Sequence, residues 1–137
     1  MAAFGFFLNA ALTTPVTSLV VEQDVSGGTP PVSFQIYLGS TSPGATLRTL
    51  VNPGVDQINV YTNDSTPGTG ALPSQTKLAA TQAGLVSAVA GASLNLGTVI
   101  TGGVANAVSF WYQVSDTTGV QGVKTDLSLK TNVLGEL

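Results

Sequence analysis

The sequence predicts an all-β fold, an antiparallel β-sandwich of about seven or eight strands. Short runs of β-branched and aromatic residues recur between Gly, Pro, Asn and Asp, which is the pattern of many short strands joined by turns. Long helical periodicity is missing, and only residues 82–90 are compatible with a short helix. Two sheets packed face to face accommodate such strands better than a fold that alternates strands with helices.

Each predicted strand is an apolar or alternating run bounded by turn residues. The last run alternates most regularly, with Leu127 and Leu129 on one face and Ser128 and Lys130 on the other. This alternation is typical of a strand with one buried and one solvated face. The predicted strands are residues 18–23, 32–38, 57–62, 76–80, 93–100, 107–116 and 125–133, with a further candidate at 47–51.

One aromatic residue breaks the alternation of the strand predicted at 107–116, which reads AVSFWYQVSD. Phe110 and Tyr112 point to one face, whereas Trp111 falls on the polar face with Ser109. A tryptophan side chain buries roughly 150–250 Å² when it is covered. We therefore expect a neighbouring chain or a loop to cover Trp111.

The 137 residues are enough for one domain with its own core. We assign residues 17–137 to a single β-sandwich domain and residues 1–16 to an amino-terminal arm or edge strand. Two interpretations of this segment stay open: an edge strand folded onto its own core, or an arm that docks on a neighbouring subunit. Its large apolar residues are Phe4, Phe6, Phe7 and Leu8.

The surface is predicted to be polar but nearly uncharged. Charged residues make up 8% of the chain, against about 25% in an ordinary soluble protein. Four basic residues and a net charge of −3 give no basic footprint for nucleic acid. No run of about 18 apolar residues predicts a membrane helix, and no Lys or Arg precedes the first apolar run as it does in a secretory signal.

The residue types give little support to catalysis. The chain has no His and no Cys, which removes the commonest general base, thiolate chemistry and the usual zinc ligands. Glu22 and Asp24 share a strand face but lack a neighbour that would separate their pKa values. Asp56, Asp64 and Asp116 lack the spacing of a calcium loop. We therefore predict no enzyme, no cofactor and no metal site.

A likeness to a known group of proteins appears in the carboxy-terminal part. The stretch LNLGTVITGGVANAVSFWYQVSD is followed by a glycine-containing loop and then by TDLSL at 125–129. This order of strand, glycine-rich turn, aromatic strand and final TDLxL strand resembles the end of immunoglobulin-like β-sandwich modules in tailed-bacteriophage virion proteins. The likeness covers residues 94–134.

The resemblance implies a virion structural protein, and a short single domain is most similar to a capsid decoration, or cement, protein. Such proteins commonly form trimers on the capsid surface and bridge neighbouring major capsid proteins. The expected partners are therefore the major capsid protein and further copies of the chain. Because the long polar tether of such proteins is missing, the predicted interface uses the amino-terminal arm or a sandwich edge. Its candidate residues are Phe4, Phe6, Phe7, Leu8, Trp111, Tyr37 and Tyr61.

Three alternatives remain open from the sequence. The first is a cell-surface filament or adhesin subunit whose amino-terminal strand completes a neighbour's sheet by strand addition. The second is a phage tail component. The third is a carbohydrate-binding sandwich in which Trp111, Tyr37 and Tyr61 form a stacking platform.

Overall fold

The computed structural model describes residues 4–17, 31–67, 72–115 and 127–136. In this part of the chain the all-β prediction is confirmed, with ten strands and three 3-10 turns at Pro73–Gln75, Ala83–Val86 and Val104–Asn106. None of the described helical segments has the length and apolar character needed to cross a membrane. The strands are β1 Gly5–Phe7, β2 Val32–Gly39, β3 Thr46–Thr49, β4 Asn59–Asp64, β5 Thr76–Ala79, β6 Leu94–Asn95, β7 Ile100–Thr101, β8 Val108–Val114, β9 Leu127–Thr131 and β10 Leu134–Glu136.

The strands form two layers. One layer is a four-stranded sheet in the order β1-β2-β8-β5, in which every neighbouring pair is antiparallel. The other layer consists of two three-stranded sheets, β10-β3-β7 and β6-β4-β9. The inward side chains of all three sheets meet in one hydrophobic core, as in a β-sandwich.

The core is built from alternate residues of the central strands. Ile36 of β2 and Phe110 of β8 are directly opposite each other and have no exposed surface. From the second layer, Ile58, Val60 and Ile100 pack against them and are equally inaccessible. Burying each such side chain contributes about 1.5–3 kcal/mol, so the packing of these strands is the main source of stability.

Three hydroxyl groups bridge the two layers inside this core. The hydroxyl oxygens of Thr62 in β4 and Thr76 in β5 are 2.9 Å apart, and the Thr76 hydroxyl donates to the carbonyl of Pro73 at 2.7 Å. Tyr112 is 6% exposed and hydrogen bonds with both threonines. Buried hydroxyls require such partners, and here they connect β4, β5 and β8.

The segment predicted as an arm or edge strand is an edge strand of its own sheet. β1 pairs with β2, and the Val16 amide donates to the Phe6 carbonyl while the Leu8 amide donates to the Thr14 carbonyl. The returning segment therefore covers the outer edge of β1, and it carries Pro15, which cannot donate to a ladder. This arrangement protects the edge of the sheet from pairing with another chain.

Several predicted strand boundaries are confirmed to within about two residues. The predicted 32–38, 47–51, 57–62, 76–80 and 107–116 correspond to β2, β3, β4, β5 and β8. The predicted strand at 18–23 lies outside the described residues. The short helix considered at 82–90 is a single 3-10 turn, Ala83–Val86.

One predicted strand is wrong as a single element. Residues 93–100 form β6 and β7, which belong to different sheets, because Gly97 adopts a φ of 102° and turns the chain between them. The predicted strand 125–133 corresponds to β9, Leu127–Thr131, and β10 begins just beyond its predicted end. β10 pairs with β3, whereas β9 pairs with β4.

Candidate functional site

A diagonal row of aromatic side chains crosses the outer face of the four-stranded sheet. Phe7 of β1 lies opposite Tyr37 of β2, and Trp111 of β8 lies opposite Gln35, two residues away from Tyr37 along β2. Diagonal neighbours on a sheet are roughly 7–8 Å apart, which is within reach of aromatic rings. The structure therefore brings Phe7, Tyr37 and Trp111 together on one face.

Loops of the same chain border this row and leave its rings half-buried. Leu12 is 4% exposed and packs over Gly39, where an added Cβ would lie 3.1 Å from the Leu12 Cδ1 atom. On the other side, Gly84 approaches Ala79, the β5 residue directly opposite Trp111. The loop at Gly84 therefore lies beside the β5 residue that pairs with Trp111, and Trp111 is itself half-buried.

The predicted interface residues of the amino terminus point in two directions. Phe4 and Phe6 pack against the protein's own core, and the Phe6 ring contacts Phe110. Phe7 faces outward beside Tyr37, and neighbouring Leu8 is 38% exposed. Phe4, Phe6 and Phe7 are all half-buried and Leu8 is the most exposed of the group, so all four remain candidate contacts for another molecule.

Tyr61 does not join the aromatic row. It lies in β4, opposite Lys130 of β9, on the outer face of the second layer. The platform considered for Trp111, Tyr37 and Tyr61 is therefore not formed as one surface, because Tyr61 is separated from the other two by the core. Phe7 takes the third place in the row.

A cleft continues the outer face of the four-stranded sheet beyond Trp111. Lys77 of β5 and Gln113 of β8 lie opposite each other, one step along the same face from the Ala79 and Trp111 pair. Lys77 is therefore the diagonal neighbour of Trp111. The cleft has a volume of about 370 Å³. Its lining residues are Pro31, Leu72, Ser74, Gln75, Lys77, Ala90, Gln113 and Ser115.

The second layer carries an apolar corner formed by Leu50, Val51, Val55 and Val133. These side chains are 60%, 68%, 73% and 70% exposed, respectively. The Leu50 amide donates to the Val133 carbonyl at 3.1 Å, which holds the two segments together. Leu50 also lies across Gly135, where an added Cβ would be 2.7 Å from its Cδ2 atom. Exposed apolar side chains gathered on neighbouring segments are candidates for an interaction surface.

Sequence reasoning missed the apolar corner. Val51 lies at the end of the predicted strand 47–51, and Val55 follows a turn. Val133 continues the alternation of Leu127 and Leu129, which favoured the apolar face of a strand, but it is 70% exposed. The sequence signal that could have indicated the corner is the turn at 52–54, which directly follows the apolar pair Leu50 and Val51. Asn52 and Gly54 adopt positive φ angles of 49° and 78°, which bring Val51 and Val55 to the same bend.

The described carboxylates are dispersed. Asp64 accepts a hydrogen bond from the Thr66 amide at 2.9 Å, and Glu136 accepts one from the Phe4 amide at 2.8 Å. No three His, Cys, Asp or Glu residues within the described ranges are grouped so that they could hold a metal ion. Glu22, Asp24 and Asp116 lie outside the described residues.

Comparisons of the chain with protein-family models, curated proteins and solved structures found no match. The resemblance of residues 94–134 to phage immunoglobulin-like modules therefore stays a prediction. The functional argument rests on the sandwich and on its two outer surfaces, the aromatic row with its cleft and the apolar corner.

Proposed function

We propose that the chain is a virion structural protein, a decoration protein that binds the outer surface of a phage capsid and stabilises contacts between major capsid proteins. The observation that carries this proposal is the apolar corner on a surface with few charges. Val51, Val55 and Val133 expose more than two thirds of their side-chain area. Such groups gain free energy when another protein covers them.

The physical chemistry suits a protein that acts by docking in many copies. Burial of apolar surface contributes roughly 25 cal/mol per Å², so one corner supplies a modest contact. Simultaneous contacts within a homo-oligomer, for which we propose a trimer, convert modest affinity into avidity. A surface with 8% charged residues also lowers the cost of contact, because few unpaired charges are buried.

The experiment measures binding to expanded phage capsids from which accessory proteins have been stripped. Wild-type protein should cosediment with the capsids and raise their resistance to heat. The double variant Val51→Ser, Val133→Ser should lose most of this binding because it removes two of the four exposed apolar side chains of the corner. A matched control is Val86→Ser, Val89→Ser, since these valines are 86% and 71% exposed but lie outside the corner.

The following results would contradict the proposal or a part of it. If wild-type protein binds no capsid and is absent from virions by immunogold labelling, it is not a decoration protein. Label confined to the tail would support the tail alternative instead. If the Val86→Ser, Val89→Ser variant loses binding and the Val51→Ser, Val133→Ser variant does not, the protein docks through the surface near the 3-10 turn Ala83–Val86 and not through the apolar corner. A monomer at all concentrations in ultracentrifugation would remove the trimer from the proposal.

Assembly by strand addition has less support. It would require β1 to leave its own sheet, which would expose the Phe6 and Phe110 contact and release the hydrogen bonds to Thr14 and Val16. The filament or adhesin alternative would be favoured if purified protein formed fibres that depend on residues 5–7. Proline substitution of Phe6 or Phe7 would then block fibre growth.

A further inference from the structure

We propose that the outer face of the four-stranded sheet binds an acidic glycan. Its carboxylate lies in the cleft against Lys77, and a neighbouring sugar ring stacks on Trp111. This inference goes beyond capsid decoration and does not depend on it. The aromatic row and the apolar corner lie on opposite layers, so one surface can dock while the other binds a ligand.

Electrostatics selects an acidic ligand for the cleft. Lys77 is the one charged side chain among the described residues that line it, and none of these described residues is a carboxylate. The Lys77 ammonium also forms no ion pair within the described ranges. An ammonium is a compact charge with three donors, and a carboxylate is its natural partner.

Neutral polar groups around Lys77 match the hydroxyl groups of a sugar. Ser74 and Ser115 each bring a hydroxyl that can both donate and accept, and Gln113 brings an amide. The Gln113 amide is 3.5 Å from the Ser33 hydroxyl, a long contact that leaves hydrogen-bonding capacity for a ligand. The Gln75 side chain is held in place because its Oε1 atom accepts a hydrogen bond from the Leu72 amide at 2.9 Å.

The neighbouring ring adds the apolar half of a sugar site. Trp111 is one diagonal step from Lys77, and it is half-buried, so the ring is held by its surroundings while one part faces solvent. The C–H face of a pyranose is apolar and packs on an aromatic face. A cleft of about 370 Å³ is within the range of small-ligand sites and is large enough for one acidic sugar.

The test uses oligosaccharides that end in a uronic or sialic acid, each paired with its neutral counterpart. Trp111 is the chain's one tryptophan, so its fluorescence reports on this face alone. Acidic members of the panel should shift that fluorescence, and 0.5 M salt should weaken their binding. Lys77→Gln should lower the affinity for acidic members at least tenfold and leave the affinity for neutral members unchanged.

The second layer offers a matched control, because Tyr61 and Lys130 form an aromatic and lysine pair there. Lys130→Gln should bind the acidic panel like wild type, and Trp111→Ser should lose retention on immobilised glycans whereas Tyr61→Ser should not. The proposal fails if no acidic member shifts the Trp111 fluorescence at millimolar concentration. It also fails if acidic and neutral partners bind equally, or if Lys77→Gln and Lys130→Gln have the same effect. Lys77→Gln should still bind capsids if the decoration proposal is correct. The glycan proposal and the decoration proposal can therefore fail independently of each other.

Discussion

The ring of Phe6 meets the ring of Phe110 edge to face, with centroids 6.0 Å apart and planes at 80°. This geometry places the electropositive edge of one ring on the face of the other, the arrangement that aromatic pairs prefer. Phe110 is the largest fully buried side chain of the described core. The amino-terminal strand is therefore part of the folded core, and its removal would uncover the centre of the sandwich.

Phe6→Ala should lower the free energy of unfolding by about 3 kcal/mol, because it removes a core ring and leaves a cavity beside Phe110. Phe7→Ala is the matched control, since Phe7 faces outward beside Tyr37 and is not part of the hydrophobic core. Its cost should be below about 1 kcal/mol. Urea unfolding monitored by circular dichroism measures the free energy of unfolding of both variants. Equal effects of the two variants would show that Phe6 has no special place in the core.

The apolar alternation of the central strands was enough to predict the sandwich. Val32–Gly39 and Val108–Val114 present Ile36 and Phe110 to the core because a strand turns alternate side chains to one face. The amino terminus was ambiguous because FGFFL has apolar residues on both faces of a strand. Only pairing with β2 decides that Phe6 faces inward and Phe7 outward.

The surfaces were harder to predict than the core. Trp111 was recognised because it breaks a regular alternation, whereas its neighbours across the sheet depend on strand order, which the sequence does not encode locally. Tyr37 and Tyr61 look alike in sequence, and only the partners Ser109 and Lys130 separate them into different layers. Lys77 could not be connected with Trp111 from the sequence, because only the pairing of β5 with β8 makes the two residues diagonal neighbours.

Tyr112→Phe should make unfolding less dependent on alkaline pH. Burial raises the pKa of the Tyr112 phenol above its usual value of 10.0, and the hydrogen bonds with Thr62 and Thr76 offset only part of this. Below pH 10 the phenol is protonated in both the folded and the unfolded chain, so its full contribution to stability is present. Above pH 10 the unfolded chain loses the proton first, and stability falls as the pH rises toward the folded pKa.

Unfolding free energies of wild type and Tyr112→Phe, measured from pH 7 to pH 11, test this. At pH 7 the variant should be about 1 kcal/mol less stable because it loses the hydroxyl hydrogen bonds. Above pH 10 the difference should shrink. A difference that grows with pH would contradict the direction of the Tyr112 pKa shift.

Asn132→Ala should weaken the connection between the last two strands and β4. The Asn132 side chain accepts a hydrogen bond from the Asn59 amide at 3.0 Å and donates one to the Gln57 carbonyl at 2.9 Å. Losing both should cost about 2 kcal/mol, because the partly buried Asn59 amide is left without its acceptor. Asn132→Asp keeps the acceptor and should cost less. Hydrogen exchange at the Asn59 amide should accelerate in the alanine variant and stay slower in the aspartate variant.

Gly102→Ala should be among the most destabilising small substitutions in the chain. A Cβ at Gly102 would collide with the carbonyl oxygen of Ser42, and the Gly102 amide already donates to the Ala45 carbonyl at 2.6 Å, so the backbone has no room to retreat. Overpacking of this kind costs about 1–3 kcal/mol or more.

Gly5→Ala is the control, because its Cβ would meet only the Phe7 ring at 3.6 Å, an ordinary contact. It should leave stability unchanged or raise it by up to about 1 kcal/mol, since alanine restricts the unfolded chain. Thermal unfolding should show a clearly lower melting temperature for Gly102→Ala than for wild type, and an unchanged or higher one for Gly5→Ala. Equal melting temperatures of the two variants would contradict the close approach of residues 42 and 102.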